Sequence, residues 1–100
     1  MAARSNRFHT CVTIYNGDRW KVPGAKDIYI AYCRNVNGVG FWELYHAPTP
    51  KLNPVYVFGG LESYFGAKMK NFYNDNGLKK IRTPLKDRIG PSLSLWGLTH

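Results

Sequence analysis

His9, Cys11, Cys33 and His46 of this 100-residue chain are of types that bind zinc. Zinc holds cysteine sulfur and histidine nitrogen at about 2.0–2.3 Å in a tetrahedron. His9 and Cys11 share a face if their segment is a strand. Cys33 falls opposite Trp42 in the hairpin derived below. At about 3.3 Å per residue, His46 then lies roughly 13 Å away along the neighbouring strand. No pair of cysteines has the C-x2-C spacing. Neither a metal nor any other cofactor is expected.

The same residues offer a cysteine nucleophile with a histidine base, but nothing in their spacing brings the two together or supplies a third group to orient the base. Six Asp and Glu are spread along the chain, so paired carboxylates for acid–base work are poorly supplied. Val39-Gly40 and Gly59-Gly60 lack the spacing and the lysine of a phosphate-cradling loop. The expectation is a non-enzymatic protein without a small-molecule substrate.

Charge is the stronger signal. Fourteen Lys and Arg against six Asp and Glu give a net charge of +8, which favours polyanionic partners: nucleic acid, an anionic membrane or an acidic protein face. The excess is uneven. Between residues 67 and 90, Lys68, Lys70, Lys79, Lys80, Arg82, Lys86 and Arg88 stand against Asp75 and Asp87, a net +5. These seven bases are the candidate contacts to phosphate or to an acidic partner, and such contacts give affinity without sequence choice. Tyr29, Trp42 and Trp20 are the candidate aromatic surface on which bases could stack; the plainer reading makes them core.

The elements that would carry these groups follow from pattern. Residues 8–15 are rich in β-branched and aromatic types and read as a strand. Asn16-Gly17 suits a tight hairpin turn into a short strand at Trp20-Lys21-Val22. Residues 28–34 and 39–46 flank a second Asn-Gly, at 37–38, which predicts a hairpin in which Ile30 faces Tyr45, Tyr32 faces Glu43 and Arg34 faces Phe41. The opposite side carries Tyr29, Ala31, Cys33, Trp42, Leu44 and His46, so both faces hold large apolar groups. Three prolines between 47 and 54 make an extended connection. Val55 to Phe58 reads as a buried strand broken by Gly59-Gly60. Leu61, Phe65, Met69, Phe72 and Tyr73 then recur at intervals of three and four, which predicts a helix over 60–75 ended by Asn76-Gly77. Thr83-Pro84 starts a short helical turn over 84–89.

Residues 91–100 are apolar and carry no charged side chain. Left free they would expose Leu93, Leu95, Trp96 and Leu98, so they are expected to anchor the tail on the chain itself or on another molecule.

The expected fold class is α+β: an antiparallel sheet of four to five strands with one main helix on it, a short helix and an extended C-terminal tail. One domain spans 1–100, with a flexible basic start over 1–7, a β-rich core over 8–58, the main helix over 60–75 and the docking tail over 91–100. No apolar run reaches the length of a membrane span. Two cysteines without a secretory segment point to a reducing intracellular location, cytoplasmic or organellar. The expected function is that of a basic structural or accessory subunit of a large complex, a nucleoprotein particle such as a ribosome first, with protein subunits or nucleic acid as partners. The alternatives are a free-standing nucleic-acid-binding protein and a small viral or phage-type inhibitor of a host protein.

Overall fold

A computed structural model describes residues 10–47, 53–81 and 90–98. The order of elements is β1 (Thr10–Tyr15), β2 (Arg19–Lys21), β3 (Ile28–Val36), β4 (Val39–Ala47), β5 (Val55–Leu61), α1 (Glu62–Asn76), β6 (Lys79–Ile81) and β7 (Ser92–Leu98). Five strands form an antiparallel sheet in the order β5-β4-β3-β2-β6, while β1 and β7 pair separately as a two-stranded ribbon. The fold is α+β, as its pattern predicts.

The β3–β4 hairpin has the register read from the sequence: Ile30 opposite Tyr45, Tyr32 opposite Glu43 and Arg34 opposite Phe41. Its turn has Asn37 at φ 53° and Gly38 at φ 83°, the two positive angles that a two-residue turn of matching twist demands. Asn35 Oδ1 accepts the Gly38 N–H at 2.7 Å and fixes the turn further.

Asn16-Gly17 also turns, with the Asp18 N–H bonded to the Tyr15 carbonyl at 3.0 Å. It does not join a hairpin. β1 leaves the sheet to pair with β7, and β2 lies between β3 and β6. Gly17 instead donates to the Ala31 carbonyl at 2.7 Å and Ala31 donates to the Asp18 carbonyl at 2.9 Å. The turn therefore continues the edge of β3 rather than folding β1 back on β2.

β5 runs through Gly59-Gly60 to Leu61 instead of breaking at the glycines. The helix begins at Glu62 and ends on Gly77, which adopts the left-handed conformation at φ 58° and donates its N–H to Tyr73. Phe65, Met69 and Tyr73, spaced by four, form its buried stripe. The short helix expected over 84–89 lies outside the described residues. Residues 92–98, expected to be a tail, form a strand along β1, and Leu93 and Leu95 are buried.

One cluster of buried side chains joins the layers: Trp20, Ala31, Trp42 and Leu44 from the sheet, Phe65, Met69 and Tyr73 from α1, and Ile14, Leu93 and Leu95 from the ribbon. The helix and the ribbon thus cover the same side of the sheet. Burying each large side chain is worth about 1.5–3 kcal/mol, and the side that holds both tryptophans gains the most from being covered.

Candidate nucleic-acid interface

Paired residues in an antiparallel sheet point to the same side, so the registers sort the five strands into two faces. Trp20, Tyr29, Ala31, Cys33, Trp42, Leu44, His46 and Phe58 lie on the covered side. The other side carries Lys79 and Ile81 on β6, Arg19 and Lys21 on β2, Ile30, Tyr32 and Arg34 on β3, Phe41, Glu43 and Tyr45 on β4, and Tyr56 and Leu61 on β5. Neither α1 nor the ribbon packs on that side.

The expected aromatic surface is therefore corrected. Trp20 is 0% and Trp42 1% exposed. Trp42 stacks on Phe65 with ring centroids 5.8 Å apart. The Trp20 indole N–H has no acceptor among the described residues. Tyr29 is half-buried between His46 at 4.7 Å and Phe72 at 4.9 Å, and burial, then the nearby Asp27 carboxylate, pushes its hydroxyl above the usual tyrosine range. All three belong to the core side.

Other aromatic residues are open to solvent: Tyr64 on α1, 55% exposed, and two on the far side of the sheet. Tyr32 is 39% and Tyr56 51% exposed. Tyr45 lies edge-on to both, at 5.8 Å from Tyr32 and 5.9 Å from Tyr56. The result is a three-tyrosine ladder across β3, β4 and β5. Gly59 makes room for it: a Cβ there would stand 2.9 Å from the Tyr56 hydroxyl and 2.8 Å from the Trp42 carbonyl oxygen. Beside the ladder, Arg34 Nε lies 3.2 Å from Glu43 Oε1 and its guanidinium covers the Phe41 ring at 5.6 Å. The Tyr45 hydroxyl donates to the same Glu43 oxygen at 3.3 Å. Burial first, then the negative charge of Glu43, raises the Tyr45 hydroxyl above its ordinary value, so it remains a donor. Arg19, Lys21 and Lys79 are exposed at the other end of this face.

The basic candidates separate. Lys79 points to the open face from the edge strand β6, which the sequence pattern does not predict. Lys80 points the other way. Its Nζ lies 2.9 Å from Asp18 Oδ2, whose side chain is fully buried, 3.2 Å from the Thr13 carbonyl and 5.3 Å from the centre of the Tyr15 ring. Asp18 Oδ2 also accepts the Tyr15 N–H at 2.8 Å. Lys80 is thus an internal tie between β6 and the turn after β1, not a free phosphate contact. Lys68 sits on α1 over the rings of Phe58 and Tyr64, at 5.9 and 5.8 Å. Lys70 is at the rim of a groove of about 620 Å³ between α1 and β7. Neither shares the open face. Arg82, Lys86 and Arg88 lie outside the described residues. Of the tail anchors, Leu93 and Leu95 are core residues, and Trp96 and Leu98 fall within β7.

No group of His, Cys, Asp and Glu capable of holding a metal ion occurs among the described residues. Cys33 is a free thiol. Burial raises it above its usual value, a backbone N–H opposes the shift and Glu62 adds to it, so the thiol stays protonated near neutral pH. No helix among the described residues is long and apolar enough to cross a membrane.

No protein-family model matches the chain, and no curated protein or solved structure is significantly similar to it.

Tyr32 and Tyr45 stand in the register that the Asn37-Gly38 turn predicts, while the aromatic residues expected at the surface, Tyr29, Trp42 and Trp20, lie on the core side. Two charged residues opposite the tryptophans carried the missing signal. Arg34 and Glu43 alternate with Tyr32 and Tyr45, and charged side chains are seldom buried.

Proposed function

We propose that this chain is a non-catalytic, basic binding subunit that holds single-stranded nucleic acid on its open sheet face, within a larger nucleoprotein assembly. The observation that carries this reading is that Tyr32, Tyr45 and Tyr56 share with Arg19, Lys21, Arg34 and Lys79 the sheet face that neither α1 nor the ribbon covers. Single strands are bound by such a combination: rings stack on unpaired bases, each worth about 1–3 kcal/mol, while cations follow the phosphates. Stacking needs bases free of a duplex, which favours single strands over double helices.

The assembly part of the reading rests on a second observation. Val36 and Val39 at the tip of the hairpin, and Val55, Val57 and Leu61 on β5, are exposed. Val36, Val39 and Leu61 gather at the hairpin-tip end of the sheet, while Val55 and Val57 lie toward the other end of β5; exposed apolar groups of this kind are what a protein neighbour covers. The protonated Cys33 and the scattered carboxylates favour binding over catalysis.

The test is equilibrium binding of the purified chain to fluorescent single-stranded oligonucleotides over a range of salt. With Arg19, Lys21 and Lys79 each meeting a phosphate, log K should fall against log [salt] with a slope of roughly −2. A duplex of the same length should bind less tightly. No binding of single strands at low salt, or a preference for duplex, refutes the reading.

A further inference from the structure

The tyrosine ladder encloses more than a stacking platform. A depression of about 460 Å³ opens at the β3–β4 side of the face, lined by Tyr32, Arg34, Glu43 and Tyr45, with Asn16, Cys33 and Pro54 completing the lining. Its size falls within the usual range of small-ligand sites, about 300–1,000 Å³. Tyr32 and Tyr45 meet at 69°, so they form two walls of a corner rather than one flat surface. At the base of the corner stands Glu43, whose side chain is only 13% exposed.

The carboxylate is held asymmetrically. Arg34 Nε and the Tyr45 hydroxyl both address Oε1. Oε2 receives no hydrogen bond among the described residues. The pocket therefore presents a fixed, partly desolvated acceptor beside an aromatic wall, and removal from water sharpens its preference for a donor.

Resting on the nucleic-acid reading above, we propose that this pocket takes one unpaired guanine, with Glu43 accepting from the guanine Watson–Crick edge. Only guanine offers two adjacent donors on that edge, N1–H and the 2-amino group. Adenine and cytosine each place a ring-nitrogen acceptor beside their amino group, and uracil or thymine flanks its single N–H with two carbonyl oxygens. Each of these turns a lone pair toward the carboxylate. Tyr32 supplies the ring against which the base stacks. Arg34, already held by Glu43 and Phe41, keeps the carboxylate oriented.

The test uses the unmodified chain and a uridine nonamer whose central base is guanine, inosine, adenine or cytosine, in ribo and deoxyribo forms. A pair of base-edge hydrogen bonds, here both to Oε2, discriminates by about 1–3 kcal/mol, which is roughly 5- to 150-fold in affinity. The guanine oligonucleotide should bind at least about fivefold tighter than the adenine and cytosine ones. Inosine, which keeps N1–H but lacks the 2-amino group, should lie between. Glu43→Gln should bring the ratio of guanine to adenine affinity down to about one, and a ratio that stays at the parent value overturns the guanine pocket. Equal affinities for the four central bases overturn the guanine pocket while leaving the binding face intact. Absence of binding to every oligonucleotide overturns both.

Discussion

Lys79 and Lys80 are adjacent in sequence and opposite in role, and replacing each by methionine should separate stability from binding. Lys80 neutralises a carboxylate with no exposure to solvent, at 2.9 Å. Removing one partner of a buried pair costs about 3–5 kcal/mol, because the other charge is left in a poor solvent. About a quarter of the Lys80 side chain reaches water, and Asp18 keeps the Tyr15 N–H. The loss should therefore fall at the low end, roughly 3 kcal/mol. For a domain of this size each kcal/mol moves Tm by about 4–8 °C, so Lys80→Met should melt roughly 12–24 °C lower. Thermal unfolding followed by circular dichroism measures it. Asp18→Asn combined with Lys80→Met should recover most of the loss, since no unpaired charge remains. Lys79→Met should change stability by no more than about 0.5 kcal/mol and should flatten the salt dependence of oligonucleotide binding by roughly 0.7. A Lys80→Met protein that melts like the parent but loses oligonucleotide affinity would refute the assignment.

Three further expectations follow from the packing. Gly59→Ala places a methyl 2.8 Å from the Trp42 carbonyl oxygen and 2.9 Å from the Tyr56 hydroxyl; it should cost about 1–3 kcal/mol and displace Tyr56, read as a lower denaturation midpoint with weaker binding. Phe65→Ala empties a fully buried site against Trp42 and Phe58, with an expected loss of about 3–5 kcal/mol in urea unfolding. Burial holds Tyr29, Tyr73 and Cys33 above their ordinary values, as does burial together with Glu43 for Tyr45. These groups ionise more readily once unfolded, so their contribution is complete below the unfolded values and is lost as pH rises through about 9 to 10 and beyond. Tm measured from pH 7 to 10.5 should be level at first and then decline from these groups.

What could be read from the sequence was what local chemistry determines. Asn37-Gly38 fixes its own turn, and with it every pair in the β3–β4 hairpin. The spacing of Phe65, Met69 and Tyr73 gives the helix, and Gly77 its end. Non-local pairing escaped. β1 pairs with β7 across some eighty residues of sequence, and no local pattern at Asn16-Gly17 distinguishes a hairpin from a turn that leaves the sheet. β6 is three residues long and carries two lysines, so its composition reads as a solvated charge run until β2 is known to lie beside it. Which face of the hairpin is buried depended on where α1 and the ribbon settle. The alternation of Arg34 and Glu43 with Tyr32 and Tyr45 was the sequence signal for the open side, and the larger area of Trp20 and Trp42 marked the other for the core.

The most direct test of the open face as the binding surface is an amide chemical-shift titration of the labelled chain with a single-stranded oligonucleotide. The account predicts the largest shifts at Arg19, Tyr32, Arg34, Glu43, Tyr45 and Tyr56, with the buried stripe of α1 unmoved. Shifts confined to α1 and β7, or none at saturating oligonucleotide, would contradict it.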